Sequence, residues 1–213
     1  MNQPNYSSEE VSAILKIIDD LNSLKDVDTI LDRILTESRR LANAEAGSIF
    51  LVQDKKSLVF SYVQNDLLLN REKSRAAQYI NLQVPISHES IVGHVAVTRE
   101  PLVIDDAYHL PPDVPYRFNT SFDVEHGYRT VSMLTLPLLT LEGRLVGVMQ
   151  LINAKDENRN IVPFSEHNQV FVSFFANNAA VTIERGIMNR ELILRMMSMA
   201  ELRDPTETGA HVQ

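Results

Sequence analysis

The stretch "GYRTVSMLTLPLLTLEGRLVGVMQLINA", residues 127–154, decides how this chain folds. It holds two long apolar runs, VSMLTLPLLT (131–140) and RLVGVMQLINA (144–154), of the kind that suits a pleated surface. LEG (141–143) joins them, and Gly143 can take the positive φ of a tight reversal. The stretch therefore predicts a β-hairpin of two long strands.

Downstream of the hairpin, Ser165 follows VPF and is placed to cap a helix that runs to about Met199. About 35 residues at 1.5 Å each make a helix of about 50 Å, too long for a domain of this size to bury entirely. Ala176, Ala180, Ile183, Ile187, Leu194 and Met197 form a seam at alternating spacings of four and three, interrupted by Arg190. Phe171, Phe174 and Phe175 equip the first half to cover a sheet. The second half needs a partner helix or stands in water.

Upstream, GSIFLVQ (47–53), SLVFSYVQ (57–64) and YINLQVPI (79–86) are strand-like, with DKK (54–56) as a hairpin connection between the first two. NDLLLNREKSRAAQ (65–78) is polar and reads as loop or short helix. ESIVGHVAVTRE (89–100) predicts a helix of about three turns that must end at Pro101, and PLVIDD (101–106) a short strand. Residues 107–130 carry Pro111, Pro112 and Pro115 among aromatics and polar groups, the composition of a lid or binding segment. Two helices open the chain. Ser7 and Ser8 start the first, with Val11, Ile14, Ile18 and Leu21 as a narrow coiled-coil-like stripe. Asp26 or Asp28 caps the second, with Ile30, Ile34, Leu35 and Leu41 facing the core and Asn43, Ala44 and Gly47 at its exit. The order helix, helix, strands, helix, strands, helix is that of one α/β (α+β) sandwich with helical extensions at both ends.

Composition excludes whole classes of chemistry. The 213 residues carry 20 Lys and Arg against 28 Asp and Glu, a net charge of −8. That balance does not suit nucleic acid or an anionic membrane surface, both of which need grouped cations. No run of about 18 apolar residues and no signal-like start is visible, which points to the cytoplasm. Cysteine is absent, removing disulfides, thiolate metal sites and cysteine nucleophiles. There is no Gly-x-Ser-x-Gly elbow and no glycine-rich phosphate loop. None of the six histidines (88, 94, 109, 126, 167 and 211) pairs with another at a ligand spacing, so no metal site is expected in this chain.

GSIFLV (47–52), EPLVIDD (100–106), the 127–154 stretch and VPFSEHNQVFVSFFANNAAVTIERG (162–186) together resemble a GAF domain, from about Val27 to Arg185. The resemblance implies a small-molecule sensor with a central antiparallel sheet of five or six strands. Helices cover the back of that sheet and a pocket lies under loops on its front. It also implies a homodimer held by the N- and C-terminal helices, with signals passing along the C-terminal helix to an output domain. Residues 1–25 would be the dimerisation helix, 26–185 the GAF domain and 186–202 a signalling helix. The last segment, 203–213, within "ELRDPTETGAHVQ", is similar to the first turn and helix of HD-GYP phosphohydrolase domains, which hydrolyse cyclic di-GMP at a divalent-metal centre. By that resemblance Glu207 and His211 are metal ligands in a longer protein. Two ligands do not make a catalytic centre, so this chain is expected to be catalytically silent and to need no cofactor of its own.

The GAF resemblance also implies candidate ligand contacts: Ser48, Phe50, Gly93, Val95, Asp105, Phe118, Phe122, Arg129, Thr130, Ser132, Met133 and Gln150. Apolar walls with a few polar groups are what such a pocket needs, and Arg129 could pair with an anionic ligand. Cyclic-nucleotide-binding GAF domains carry a motif of Asn, Lys, Phe, Asp and Glu. Asn153, Lys155 and Phe164 match its first three positions, whereas Asn168 and Gln169 replace the two acids. The usual lysine–aspartate pair is then lost, with Asp156 or Glu157 as substitutes. The expected function is a sensor that regulates an HD-GYP-like phosphodiesterase. A domain with a collapsed pocket that only dimerises, and a cyclic-nucleotide-binding GAF domain, are the alternatives.

Overall fold

The computed structural model describes residues 8–66 and 82–202. Helix α1 (Ser8–Ser23) leads through a three-residue link to α2 (Val27–Ala42). Asp26 is the residue that caps α2: its carboxylate accepts from the Thr29 amide at 2.9 Å, satisfying an N-terminal N–H. Asn43 ends the helix in the left-handed conformation at φ 49°, and β1 (Ala44–Val52) begins at the next residue. Gly47 therefore lies inside a strand and not at the helix exit.

β1 turns into β2 (Ser57–Asn65) through an Asp54 carboxylate that accepts from the amides of Lys56 and Ser57, both at 2.8 Å. Then follow β3 (Gln83–Pro85), α3 (Ile91–Thr98), β4 (Leu102–Ile104), α4 (Ser121–His126), β5 (Met133–Leu139), β6 (Leu145–Lys155), β7 (Ile161–Val162) and α5 (Glu166–Leu202). The sheet is antiparallel in the order β3-β2-β1-β6-β5-β4, with β7 added to the end of β6. Most of the 65–78 segment, residues 79–81 of the third predicted strand, and residues 203–213 lie outside the described residues.

The hairpin forms where the sequence places it. β5 and β6 pair from Met133↔Ile152 to Leu139↔Leu145, and Gly143 takes φ 76° in the turn. Pro137 sits in β5 opposite Val148, but β4 reaches only Met133–Thr135. At Pro137 the strand has a neighbour on one side alone, which is where a residue without an N–H is tolerated.

The back of the sheet is covered by α1, α2 and α5. Ile30, Leu31, Ile34 and Leu35 of α2 and Val172, Phe175, Ala176, Ala179, Ala180 and Ile183 of α5 are buried against Ile49, Leu134, Leu136 and Met149. α2 and α5 cross at Gly186, where a Cβ would stand 3.0 Å from Ile30 Cδ1 and 3.2 Å from Val27 Cγ2. A side chain there would push the helices apart.

Both helical stripes differ from expectation in one respect. In α1 it is Ile14, Ile17 and Leu21 that are buried, in the chain's own core, while Val11 and Leu15 face outward. In α5, Phe171 and Phe175 cover the sheet but Phe174 points away and is 50% exposed. Phe174 lies 100° around the helix from the fully buried Phe175, which carries it to the outward edge of the stripe. Leu194 and Met197, beyond the body of the domain, are exposed. Among the described residues no helix is long and apolar enough to cross a membrane.

Candidate ligand pocket

On the front of the sheet the described residues enclose a cavity of ≈570 Å³, within the range of about 300–1,000 Å³ usual for small-molecule sites. Its floor is the front face of β1, β2 and β6. Ser48 and Gln150 stand opposite each other across the β1–β6 pairing, flanked by Phe50 and Phe60 in edge-to-face contact at 4.9 Å. Alternation along a strand sends Ser48 and Phe50 to one face and Ile49 to the back core. Both Ser48 and Gln150 are buried, and the Gln150 amide donates to Thr135 Oγ1 at 3.1 Å.

α3 makes one wall. Ser90 caps it, its hydroxyl accepting from the Gly93 amide at 3.0 Å, and Ile91 and Val92 face the cavity. Opposite, the Arg117 amide donates to the Glu89 carbonyl at 2.9 Å, and Ser90 and Arg117 form a parallel bridge. These contacts tie the long 105–120 loop to the start of α3.

α4 closes the far side, held by Asp123. This buried carboxylate accepts from Tyr108 Oη at 2.9 Å, from the Thr130 amide at 2.8 Å and from Thr130 Oγ1 at 2.9 Å. Phe122 lines the cavity beside it.

Behind α4 a second buried network fixes the segment that enters β5. Tyr128 Oη donates to Glu45 Oε1 at 2.7 Å, and the Asn153 amide donates to Tyr128 Oη at 3.0 Å and to the Arg129 carbonyl at 2.9 Å. Lys155 Nζ completes the set as an ion pair with Glu45. Burial pushes the Glu45 carboxyl up, but the hydrogen bonds of Lys155, Tyr128 and Asn153 outweigh it and hold the group below its usual value. Burial, and then the Glu45 charge, push the Tyr128 hydroxyl well above its usual range.

The family model for the GAF domain matches residues 26–183, the span that holds this sheet, its back helices and the front cavity. The chain belongs to the GAF domain family. Relatives include the cGMP-specific 3′,5′-cyclic phosphodiesterase of Drosophila virilis, 29% identical over 201 residues, which covers 92% of this chain and 21% of that protein. The Drosophila melanogaster enzyme of the same name is 28% identical over 92% of this chain and 16% of its own length. The chain thus spans about a sixth to a fifth of the relatives it matches. Among solved structures, the GAF domain of a Coxiella burnetii phosphoenolpyruvate-protein phosphotransferase superposes with TM-score 0.63 at 18% identity, over 85% of this chain and 96% of that one. A GAF domain/HD domain protein from Geobacter sulfurreducens gives TM-score 0.56 at 14% identity, over 79% and 98%. At these identities the two structures speak for the fold alone.

Seven of the residues that the GAF resemblance singled out meet at the cavity: Ser48, Phe50, Phe118, Phe122, Thr130, Met133 and Gln150. Five do not line it. Gly93 packs on the backbone of Pro85 and Ser87, where a Cβ would clash at 2.5 Å. Val95 is core with Phe50, Leu58 and Val148, and Asp105 is exposed after β4. Ser132 spends its hydroxyl accepting from the Ala154 amide at 3.1 Å. Arg129 lies over the Tyr108 ring, 3.6 Å from its centroid, and so is engaged in a cation–π contact outside the cavity. The partner of Lys155 is Glu45, and neither Asp156 nor Glu157 replaces the missing acid. Ser165 caps α5 by accepting from the Asn168 amide, Asn168 Oδ1 accepts in return from the Ser165 amide, and Gln169 donates to the Phe164 carbonyl. Tyr128, Asp123 and Arg117 were missed. The first two carry a recognisable signal only after α4 is known to fold back on β5.

The histidines also differ from expectation. His88 and His94 come together, Nδ1 to Nδ1 at 2.8 Å, because the link from β3 curls back over the first turn of α3. Among the described residues no three His, Cys, Asp or Glu side chains converge on a metal-sized point. Glu207 and His211 lie outside the described residues.

Proposed function

We propose that this GAF domain senses a small molecule in the front cavity and regulates, as a homodimer, a phosphodiesterase domain attached through α5. The cytoplasm is the expected compartment. The observation that carries this reading is the cavity itself: ≈570 Å³ with an apolar wall and the Ser48–Gln150 pair on its floor. A module that served only to hold two chains together would have no need of it.

The output fits a phosphodiesterase on two counts. The relatives that align over nearly the whole chain are cyclic-nucleotide phosphodiesterases. The 203–213 segment also resembles the opening of an HD-GYP domain, which would supply Glu207 and His211 to divalent metals and act on cyclic di-GMP. A ligand that binds one packing of the helices better than the other shifts the output by that difference in affinity.

A cyclic nucleotide is the second reading for the ligand itself. The identity of the relatives favours it, together with Asn153, Lys155 and Phe164 at the motif positions.

Native mass spectrometry of the purified chain, before and after mild denaturation, tests the proposal. A dimer that releases a mass of a few hundred daltons supports sensing. An empty dimer that also fails to take up cGMP, cAMP or cyclic di-GMP by calorimetry would leave only the scaffold role. A monomer would remove the dimer from the account.

A further inference from the structure

His94 stands on α3 with its ring centroid 4.9 Å from that of His88 and 4.8 Å from that of Tyr116. Its Nδ1 is 2.8 Å from Nδ1 of His88. A contact that short between two imidazoles holds one proton: one ring donates and the other accepts. The three rings come from three segments, His88 from the link after β3, His94 from α3 and Tyr116 from the 105–120 loop. Residues within three positions of each ring line the cavity: Glu89 and Ser90 beside His88, Ile91 and Val92 before His94, Arg117 and Phe118 after Tyr116.

The elements packed on His94 supply few charged groups besides His88. Its own helix, Ile91–Thr98, contains no other titratable residue. Of the strands packed on α3, β3 and β5 contain none, and β6 contains only Lys155, which is paired with Glu45. The link contributes His88 and Glu89, and the 105–120 loop carries Asp105, Asp106, Tyr108, His109, Asp113, Tyr116 and Arg117, of which Tyr116 touches His94. The charge acting on His94 is that of His88, while Asp113 acts on Tyr116. Burial and then His88 hold the His94 imidazole below its usual value.

We propose that His88 and His94 form an acid-sensitive latch that fastens the front of the GAF cavity, with one shared proton closing it and a second opening it. A second proton leaves two N–H donors facing each other with no acceptor between them, and two like charges less than 3 Å apart. The link and α3 then part, and the Arg117–Glu89 backbone contact beside them loosens. The latch stands on the geometry of the three rings. Its role as a gate rests on the reading that the cavity takes a ligand.

The test uses the 213-residue chain, ¹⁵N-labelled, with long-range histidine spectra and amide exchange recorded from about pH 7.5 to 5. Two interacting imidazoles titrate in two separated steps. Across the second step the Arg117 amide, which donates to Glu89, should lose about tenfold of its protection after correction for intrinsic exchange. In H88Q the amide oxygen accepts from the imidazolium as well as from the neutral ring, so the loss should vanish. H94Q, which removes the half-buried ring of the pair, should also abolish it. Independent titration of the two rings, an Arg117 amide unchanged across the second step, or a loss that persists in H88Q each overturns the latch. An empty cavity at neutral pH would count against the sensory reading and leave these titrations unaffected, so the two failures are distinguishable.

Discussion

The Tyr128 hydroxyl donates to Glu45 Oε1 at 2.7 Å, bridging the segment that leaves α4 to β1 of the sheet. Both are buried, and Asn153 ties to each of them, donating to Glu45 at 3.2 Å and to Tyr128 at 3.0 Å. The pair therefore anchors the cavity-closing helix to the central strand. Tyr128→Phe removes one donor from a buried carboxylate and one acceptor from Asn153. The loss should be about 1–2 kcal/mol in urea unfolding, with an unchanged m-value. A neutral result would mean that the segment is held by packing alone.

Lys155 sets the pH behaviour of the same network. Glu45 is held below its usual 4.5 in the folded state. A carboxyl with a depressed folded-state pKa contributes stability above its unfolded value, and that contribution is lost as pH falls through the folded value. Wild-type stability should thus decline below pH 4.5, and Glu45→Gln should flatten that decline. Lys155→Met at neutral pH leaves the carboxylate buried without its cation and should cost about 3 kcal/mol. A pH profile in Glu45→Gln as steep as in wild type would assign the acid sensitivity to other carboxylates.

What the sequence shows and what it hides divides along contact range. The 127–154 hairpin, the Asp26 cap and the Ser165 start of α5 are each set within a few residues by apolar runs, a turn glycine or a capping oxygen, and all were legible. Glu45 and Asn153 meet across 108 positions, so the partner of Lys155 waits on the β1–β6 register. His88 and His94 are only six apart, yet they meet because a link curls, which no periodicity encodes. Arg129 looked like a pocket cation because it is next to Thr130. Its side chain lies over the Tyr108 ring instead, a contact that adjacency in sequence does not reveal.

Asp123 decides whether α4 stays down on the cavity. Its two carboxylate oxygens accept from three neutral donors, Tyr108 Oη and the amide and hydroxyl of Thr130. Asp123→Asn keeps the shape but turns an NH₂ toward one of those donors and leaves that pair unsatisfied, at a cost of about 1–3 kcal/mol. The loss should be local: exchange protection falls in 121–130, while amides of β1 and β6 keep theirs. A uniform loss across the sheet would show that α4 and the core unfold as one unit.

The outward stripe of α5 should hold the second copy. Phe174, Val181 and Met188 repeat every seven residues along the helix and are 50%, 41% and 56% exposed, although the opposite face is fully buried in the chain's own core. A seven-residue apolar repeat is the pattern of a helix that packs along another helix. Val11 and Leu15 of α1 are exposed on the same back layer and extend the apolar surface. Substituting glutamate at Phe174 and Val181 together places two like charges per chain in that seam without touching the buried face. Light scattering should then report a monomer at concentrations where the wild type is a dimer, with an unchanged far-ultraviolet circular dichroism spectrum. If the doubly substituted chain remains a dimer, the contact lies elsewhere, and the exposed residues of α5 beyond Met188 become the surface to test next.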